Sequence, residues 1–547
     1  MPDMSFDVVY IGAGTKNLVN AIYVTKYGGL TVGMFEDRYE AGSGWSSEES
    51  PAPGFIANHC SHIHCGAWYY KAIWDDFPQE WEEYGPRLVY PKVATGTVFL
   101  EDDSWIGAYT IFDDPSQQKT AKLIARFSPK DAEVWLKVHD LVRKHIGPAF
   151  FEVAFNPPQP LDQPDALDRL LTKPPPGLNP LWNIMSPAQL SLELFESQEA
   201  QMLFMRAAQS AGIQPETPGL GLAALIMIEG YMITTILAGG NHQAAHFCTR
   251  VIMENGGKIF TRHPVKKILI ENGRARGVRL ADGTEIEAKK AVVCGANPEQ
   301  LVFELTGPEH WHPEIPRKVR NIERDWTVIS WYTWALHEHP KYKAEAFDPN
   351  LADMVWICLG QKEVNYLLQE HWRRRLGLWP EPDKFNLVVS DYSLYDSTFA
   401  PPGKACVLTE QFVLPATAYS EEEWKAIETR HANEILSFWQ KYAPNMTWDN
   451  VIGYVPVTPF FTARHAKTFA PTGNWSVIDC PAHQFGRFRP IPELADLRNF
   501  PIENLYPCSA AWHQASGGHM QQGYWVYKIM AERFGLRKPW EEKERSW

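Results

Sequence analysis

Phe6-Asp7-Val8-Val9-Tyr10-Ile11-Gly12-Ala13-Gly14-Thr15-Lys16-Asn17 is the stretch on which the reading of this chain turns. A β-branched and aromatic run enters a turn with two glycines, a helix-forming stretch follows, and a second apolar run at 30–35 ends on the acid Glu36. Strand, glycine turn, helix, strand and acid in that order form a unit that holds a dinucleotide. Gly12 permits the tight turn, Gly14 lets backbone N–H groups approach a pyrophosphate, and the helix N-terminus adds partial positive charge. Glu36 is placed to accept hydrogen bonds from ribose hydroxyls. Asn17 stands where a third glycine would bring helix and strand close, so the motif is imperfect in sequence but complete in context. The competing reading is an ordinary βαβ turn.

A chain of 547 residues exceeds one simple core and suggests roughly three domain equivalents. With 52 basic against 65 acidic residues and a net charge of −13, no nucleic-acid partner is expected. The 22 Trp and 13% aromatic content need a core or an apolar ligand chamber to line. Met1-Pro2-Asp3-Met4-Ser5 lacks a basic then apolar leader, and the eight Cys form no C-x-x-C pair, so a cytoplasmic protein with reduced thiols is expected. The apolar segment 220–237 carries Glu229 and reads as a buried helix rather than a membrane span.

Along the chain, Ser128-Pro129-Lys130-Asp131 opens a helix, with Ser as cap and Pro in the first turn. The block 78–212 is helical and Pro-punctuated. After Gly239-Gly240 a polar helix leads to Gly256-Gly257, then to a strand pair at 258–261 and 265–270 and a hairpin at Asp282-Gly283. Strand-like runs at 328–336 and 405–413 alternate with long helices, notably 420–442. This organisation predicts a discontinuous dinucleotide domain (1–75, 235–310 and 465–547) interrupted by a substrate domain (76–234 and 311–464).

His59-Cys60-Ser61-His62-Ile63-His64-Cys65 packs five candidate ligands into seven residues. Successive residues of a strand point to opposite faces and no zinc spacing is present, so no metal is expected. One of these histidines, with His62 as the candidate catalytic residue, is expected to face cofactor or substrate; a covalent link to the cofactor there is an open alternative.

At the other end of the chain, residues 504–523 again run from strand through a Gly517-Gly518 turn to a helix N-terminus, a second anion-favouring site. One such site serves a pyrophosphate, and the other suits the pyrimidine end of a flavin. With this segment the chain resembles the phytoene desaturase family of FAD-dependent oxidoreductases, particularly the branch holding bacterial carotenoid ketolases. The shared motifs are the opening unit through Glu36 and Arg38, the Gly42/Gly44 turn, Ser128–Ala132, Gly239-Gly240, Gly256-Gly257, Arg489–Glu493 and 504–523. The resemblance implies an α/β fold in which a Rossmann-type, amine-oxidase-like FAD-binding domain carries an inserted α+β substrate domain. It further implies that Gly12, Gly14, Glu36 and Arg38 hold the ADP half, that Gly42 and Ser43 lie beside the pyrophosphate, and that Val265 meets adenine through its backbone. Gly517, Gly518 and Met520 would run under the isoalloxazine. Asn17, Ser43 and Gln514 depart from the family pattern.

Flavin redox chemistry asks the protein mainly to position a C–H bond over the ring. His513 and His519, flanking the glycine turn, are the titratable candidates for a catalytic role; the plainer reading is a histidine satisfied by backbone carbonyls. The expected substrate is apolar, unsaturated or isoprenoid-like, with desaturation first and ketolation, saturation or double-bond isomerisation as relatives of it. Two rivals stay open: a flavin oxidase of a smaller amine, alicyclic or aromatic compound, and a flavin-free lipid carrier resembling the prenyl-binding GDP-dissociation inhibitors. The segment 366–379, with Trp372, Trp379 and three Arg, is a candidate peripheral contact to the inner face of an anionic membrane, against a plain solvated helix.

Overall fold

The structure, a computed structural model, describes residues 4–59, 64–65, 73, 75–513 and 520–547. The strand Met4–Ile11 passes into the helix Thr15–Lys26 through the expected turn, with Gly12 at φ +84°. That is a left-handed conformation which a side chain strains. Met4–Ile11 is central in a seven-stranded sheet, flanked in parallel by Val32–Phe35 and Glu285–Cys294. Lys258–Phe260 extends one side and Leu505–Pro507 pairs in parallel with Glu285–Cys294, while Arg274–Leu280 and Val265–Glu271 add an antiparallel meander. Register brings Ile11 level with Phe35 and Cys294, Phe35 level with Phe260, and Cys294 level with Pro507. The parallel strands therefore end together, and in open α/β sheets ligands bind beyond that edge.

Val8, Val9 and Tyr10 are fully buried in the first sheet. The first helix packs against His242–Glu254 and against Gln521–Phe534. At the second crossing a Cβ on Gly523 would collide with the Lys16 carbonyl and lie 2.8 Å from the Asn20 nitrogen, so glycine there sets the approach of the two helices.

A second seven-stranded sheet runs Val451–Val457, Ile329–Leu336, Ala405–Phe412, Leu387–Asp391, Trp356–Gly360, Val93–Phe99 and Trp105–Tyr109. Alternation along Ile329–Leu336 sends Tyr332, Trp334 and Leu336 into a core with Ile435 and Trp439 of the helix Glu421–Gln440. Trp331 and Ala335 join the larger core shared with the first sheet. The long helix begins with a capping box between Ser420 and Glu423, and Ser128 accepts from the Asp131 N–H at 3.1 Å as its sequence predicts.

Two readings of the sequence need correction. The strands near 258–261 and 265–270 are not neighbours; they sit at opposite edges of the sheet. The intervening loop is tied across the strand ends, with Arg262 N–H donating to Arg38 O and His263 N–H to Glu36 O, each at 2.8 Å. The apolar segment 220–237 is a helix only over Gly221–Met232. The β-branched run from Ile233 turns it into the strand Thr234–Leu237. Among the described residues, no helix is long and apolar enough to cross a membrane.

Candidate functional site

A cavity of about 810 Å³ opens beyond the level strand ends of the first sheet and continues to the inner face of the second. Gly12, Gly14, Glu36, Arg38, Ser43 and Val265, all expected from the sequence, line it. Glu36 is held by its own turn: Oε2 accepts from Ala13 N–H at 2.7 Å and Oε1 from Arg38 N–H at 2.9 Å. Each carboxylate oxygen retains a lone pair, which suits the two hydroxyls of a ribose. Arg38 is held from the other side, its Nη2 3.0 Å from Glu40, while its buried Nη1 has no hydrogen-bond partner among the described residues.

Gly42 does not itself line the cavity. It supports the wall, its N–H donating to Ala13 O at 2.9 Å while Gly14 and Gly42 form a parallel bridge. Gly42 at φ +125° and Ser43 at φ +51° bend the chain back beside the glycine turn. Gly14 itself has ordinary φ and ψ of −74° and 171°, and a Cβ there would meet only the Ser43 side chain, with Cβ at a comfortable 3.5 Å. Neither strain nor packing demands glycine at this position. What a side chain would fill is the cavity, at the mouth of the helix N-terminus where an anion is favoured. This is the feature of an FAD cradle, and the residues present fit the ADP half of that cofactor.

Asn17, the departure from the three-glycine pattern, folds its amide back so that Nδ2 donates to Ile11 O at 2.9 Å and Gly12 O at 2.8 Å. The close approach the missing glycine would serve is provided from the facing strand end, where a Cβ on Gly295 would lie 2.9 Å from Asn17 Nδ2. Lys16 also lines the cavity, and burial lowers its pKa to about 7. A bound anion would restore its charge.

The other candidates fall in different places. Gly517, Gly518, His519 and His62 lie outside the described residues. Met520 is buried at the start of the C-terminal helix, and its neighbour Gln521 is the one that lines the cavity, with Cys508, Ser509 and Ala510. His513 is fully buried, with Nε2–H donating to Val153 O at 2.9 Å and its ring edge-on to Trp525. Burial lowers its pKa, which favours the neutral ring, and His513 is not part of the cavity wall. That is the arrangement of a histidine satisfied by a carbonyl rather than of one facing substrate.

His59 belongs to a polar shell outside the cradle. Its Nε2 is 3.4 Å from Glu48 Oε2, and its ring centroid is 5.7 Å from that of His465. Hydrogen bonding to His59 pulls the Glu48 carboxyl down to about 2, whereas burial, reinforced by Arg38, pulls His465 down to about 4. The described residues contain no group of three or more side chains able to hold a metal.

The far end of the cavity is aromatic, walled by Tyr231, Trp331, Trp356, Trp475 and Phe485. The Tyr231 and Trp356 ring centroids are 4.3 Å apart. Into this wall the strand Ala405–Phe412 places Glu410, directly opposite Trp331 in the register, with Trp331 Nε1–H donating to Glu410 Oε2 at 3.0 Å. Burial raises the Glu410 pKa to about 8, so the carboxyl holds its proton at neutral pH. Sequence reasoning passed over this residue, although a lone acid amid Ala-Cys-Val-Leu-Thr-Glu-Gln-Phe-Val was a visible signal.

No family model matches the chain. It is 25% identical over 542 residues to the mouse pyridine nucleotide-disulfide oxidoreductase domain-containing protein 2, covering 94% of this chain and 91% of that protein. One of the subunits of limonene dehydrogenase from Castellaniella defragrans is 23% identical over 565 residues, covering 98% and 96%. A 4,4'-diapophytoene desaturase of a Methylomonas species is 29% identical over 221 residues, 39% of each chain. Among solved structures, a putrescine oxidase superposes with a TM-score of 0.57 at 13% identity over 97% of this chain and 99% of that one. An oxidoreductase from Methanosarcina mazei superposes with a TM-score of 0.55 at 17% identity, over 97% and 100%. The fold is thus the Rossmann-type, amine-oxidase-like architecture that the sequence resemblance implied.

Proposed function

We propose that this protein is an FAD-dependent oxidoreductase that removes hydrogen from an apolar, unsaturated or isoprenoid-like substrate, with desaturation as its reaction. One observation carries the proposal: a single cavity joins the Gly12–Glu36 cradle to a chamber walled by Tyr231, Trp331 and Trp356. Bound FAD supplies a two-electron acceptor for hydride. The chain's own residues bind and orient. Glu36 and the turn at Gly12 and Gly14 hold the adenosine end, Arg38 and Lys16 offer charge near the phosphates, and the aromatic walls exclude water and press an apolar substrate toward the cofactor.

The full-length relation to a limonene dehydrogenase component and the shorter relation to a carotenoid desaturase support an unsaturated hydrocarbon skeleton. The test is anaerobic mixing of the FAD-loaded protein with cyclic and linear isoprenoid alkenes while the visible flavin absorbance is followed. Bleaching by an alkene supports the proposal. Bleaching by amines alone would replace it with an amine oxidase, and a protein that cannot be loaded with FAD would replace it with a lipid carrier.

A further inference from the structure

The segment 475–485 forms part of the cavity wall through Trp475, Val477, Cys480 and Phe485. Within it Val477 stands at φ +70°. This is the left-handed region, where glycine is at ease and a branched side chain crowds its own backbone. A residue keeps such a conformation only when its surroundings over-determine it, and strain of this kind gathers at ligand sites. Here the surroundings are explicit. Val477 N–H donates to Asn474 O at 2.9 Å, and Ser476 N–H to Asn474 Oδ1 at 2.7 Å. Asn474 is tied in turn to Asp479, with Nδ2 donating to Oδ1 at 2.8 Å.

One group holds the carbonyls on either side of Val477. Arg489 is fully buried, and its Nη2 donates to Ser476 O at 2.9 Å and to Ile478 O at 3.0 Å. Its Nη1 donates to Asp479 O at 2.8 Å and Gln484 O at 3.0 Å, and its Nε to Ala510 O at 2.9 Å. A guanidinium is a rigid planar fork of donors, so anchoring both flanking carbonyls fixes the Val477 backbone between them. The same fork ties this segment to Cys508, Ser509 and Ala510, which also line the cavity. A β-branched side chain on a fixed backbone has little rotameric freedom. The result is a stiff aliphatic knob where glycine would fold with less strain and leave the wall open.

We propose that Val477 is a shape-selecting residue that touches the substrate, and that Arg489 is the positioning residue that holds it in the chamber wall. The substrate class is thereby narrowed to thin apolar skeletons, a monocyclic or linear alkene in preference to a bicyclic one. This rests on the chamber being the substrate site of the oxidoreductase proposed above, and it deepens that reading.

The experiment uses limonene and α-pinene, isomers of one composition that differ in thickness. Their equilibrium binding is measured on the purified holoprotein, on Val477→Gly, on Arg489→Lys and on the double variant. FAD content and thermal unfolding without alkene are recorded for each. Glycine takes φ +70° freely, so Val477→Gly should fold, and its ratio of α-pinene to limonene affinity should rise about tenfold over wild type. An ammonium cannot span the carbonyls that the guanidinium spans, so Arg489→Lys should raise the same ratio and lower Tm. In the Val477→Gly background it should change the ratio no further and lower Tm by less, because no strained residue is left to hold. An Arg489→Lys protein that folds only together with Val477→Gly is the extreme form of the same result.

An unchanged ratio in Val477→Gly, or an Arg489→Lys loss of stability as large in that background as in wild type, overturns the inference. Loss of FAD from Val477→Gly would set this residue against the cofactor and overturn it as well. A wild type that binds neither alkene contradicts the substrate class proposed above, whereas the coupling of Val477 to Arg489 is read from unfolding without alkene and is judged independently.

Discussion

Gly14→Val separates a glycine kept for a ligand from one kept for the fold. The backbone at Gly14, φ −74° and ψ 171°, lies in a region valine favours, and the new Cβ would sit 3.5 Å from Ser43 Cβ. Gly14 caps the first helix without a side-chain hydrogen bond, so the loss at the cap is small, and the folding cost should stay within about 1 kcal/mol. The side chain must instead occupy the cavity where a phosphate meets the helix N-terminus. Losing one hydrogen bond to a charged group is worth about 1.5–3 kcal/mol, or about 10- to 150-fold in FAD affinity. Gly523→Ala is the counterpart: its Cβ is driven into the Lys16 carbonyl, an overpacking worth about 1–3 kcal/mol of stability. The assay is thermal unfolding of each protein with and without FAD, alongside the FAD-to-protein ratio after gel filtration. Apo Gly14→Val should melt near apo wild type and gain little from FAD, whereas Gly523→Ala should melt lower in both forms. A Gly14→Val protein that keeps wild-type FAD content, or whose apo form is destabilised as much as Gly523→Ala, would mean that Gly14 is not kept for a ligand.

Other outcomes follow from buried groups. Glu410 has a folded pKa of about 8 against an unfolded value of 4.5, so its contribution to stability is complete below pH 4.5 and declines as pH rises through 8. Between those values Glu410→Gln should remove up to about 1.4 kcal/mol per pH unit from the alkaline slope, seen as a flatter Tm–pH curve. His513→Ala strips a buried hydrogen bond from Val153 O and should lower Tm while leaving the rate of flavin reduction by substrate within about twofold, well short of the effect of removing a general acid or base; a reduction rate slowed a hundredfold would return His513 to the reacting centre. Arg374, whose side chain is about 1% exposed, pairs with Glu370 at 3.0 Å and donates to Trp326 O at 2.9 Å. Arg374→Ala should therefore cost about 3–5 kcal/mol in unfolding experiments and leave binding to anionic vesicles unchanged.

Local chemistry was the legible part of this protein. Gly12, Gly14 and Glu36 can be read because they act within one βαβ unit, where backbone geometry restricts the residue types. Ser128 and Ser420 announce their helices for the same reason. Glu410 escaped because its meaning depends on Trp331, 79 residues away and brought opposite only by strand pairing. His513 looked catalytic beside a glycine turn, yet the direction of its ring is set by Val153, 360 residues earlier. Of the arginines at 373–375, Arg373 meets Glu381 at 2.9 Å and Arg375 Nε donates to His371 at 2.7 Å. The i, i+4 spacing of Glu370 and Arg374 was visible in the sequence; the burial of that pair was not. The strand edges at 258–260 and 265–271 separated because the three-dimensional order of strands follows loop ties that leave no periodic signature.

The central claim is that one cavity brings an apolar, unsaturated substrate to a flavin. Anaerobic stopped-flow mixing of the FAD-loaded protein with a panel of isoprenoid alkenes, their ketones and small amines tests it most directly. Bleaching of the flavin band by at least one isoprenoid and by none of the amines, at a rate that saturates with substrate, is the expected outcome. A flavin that stays oxidised with every isoprenoid and is bleached by an amine would contradict it.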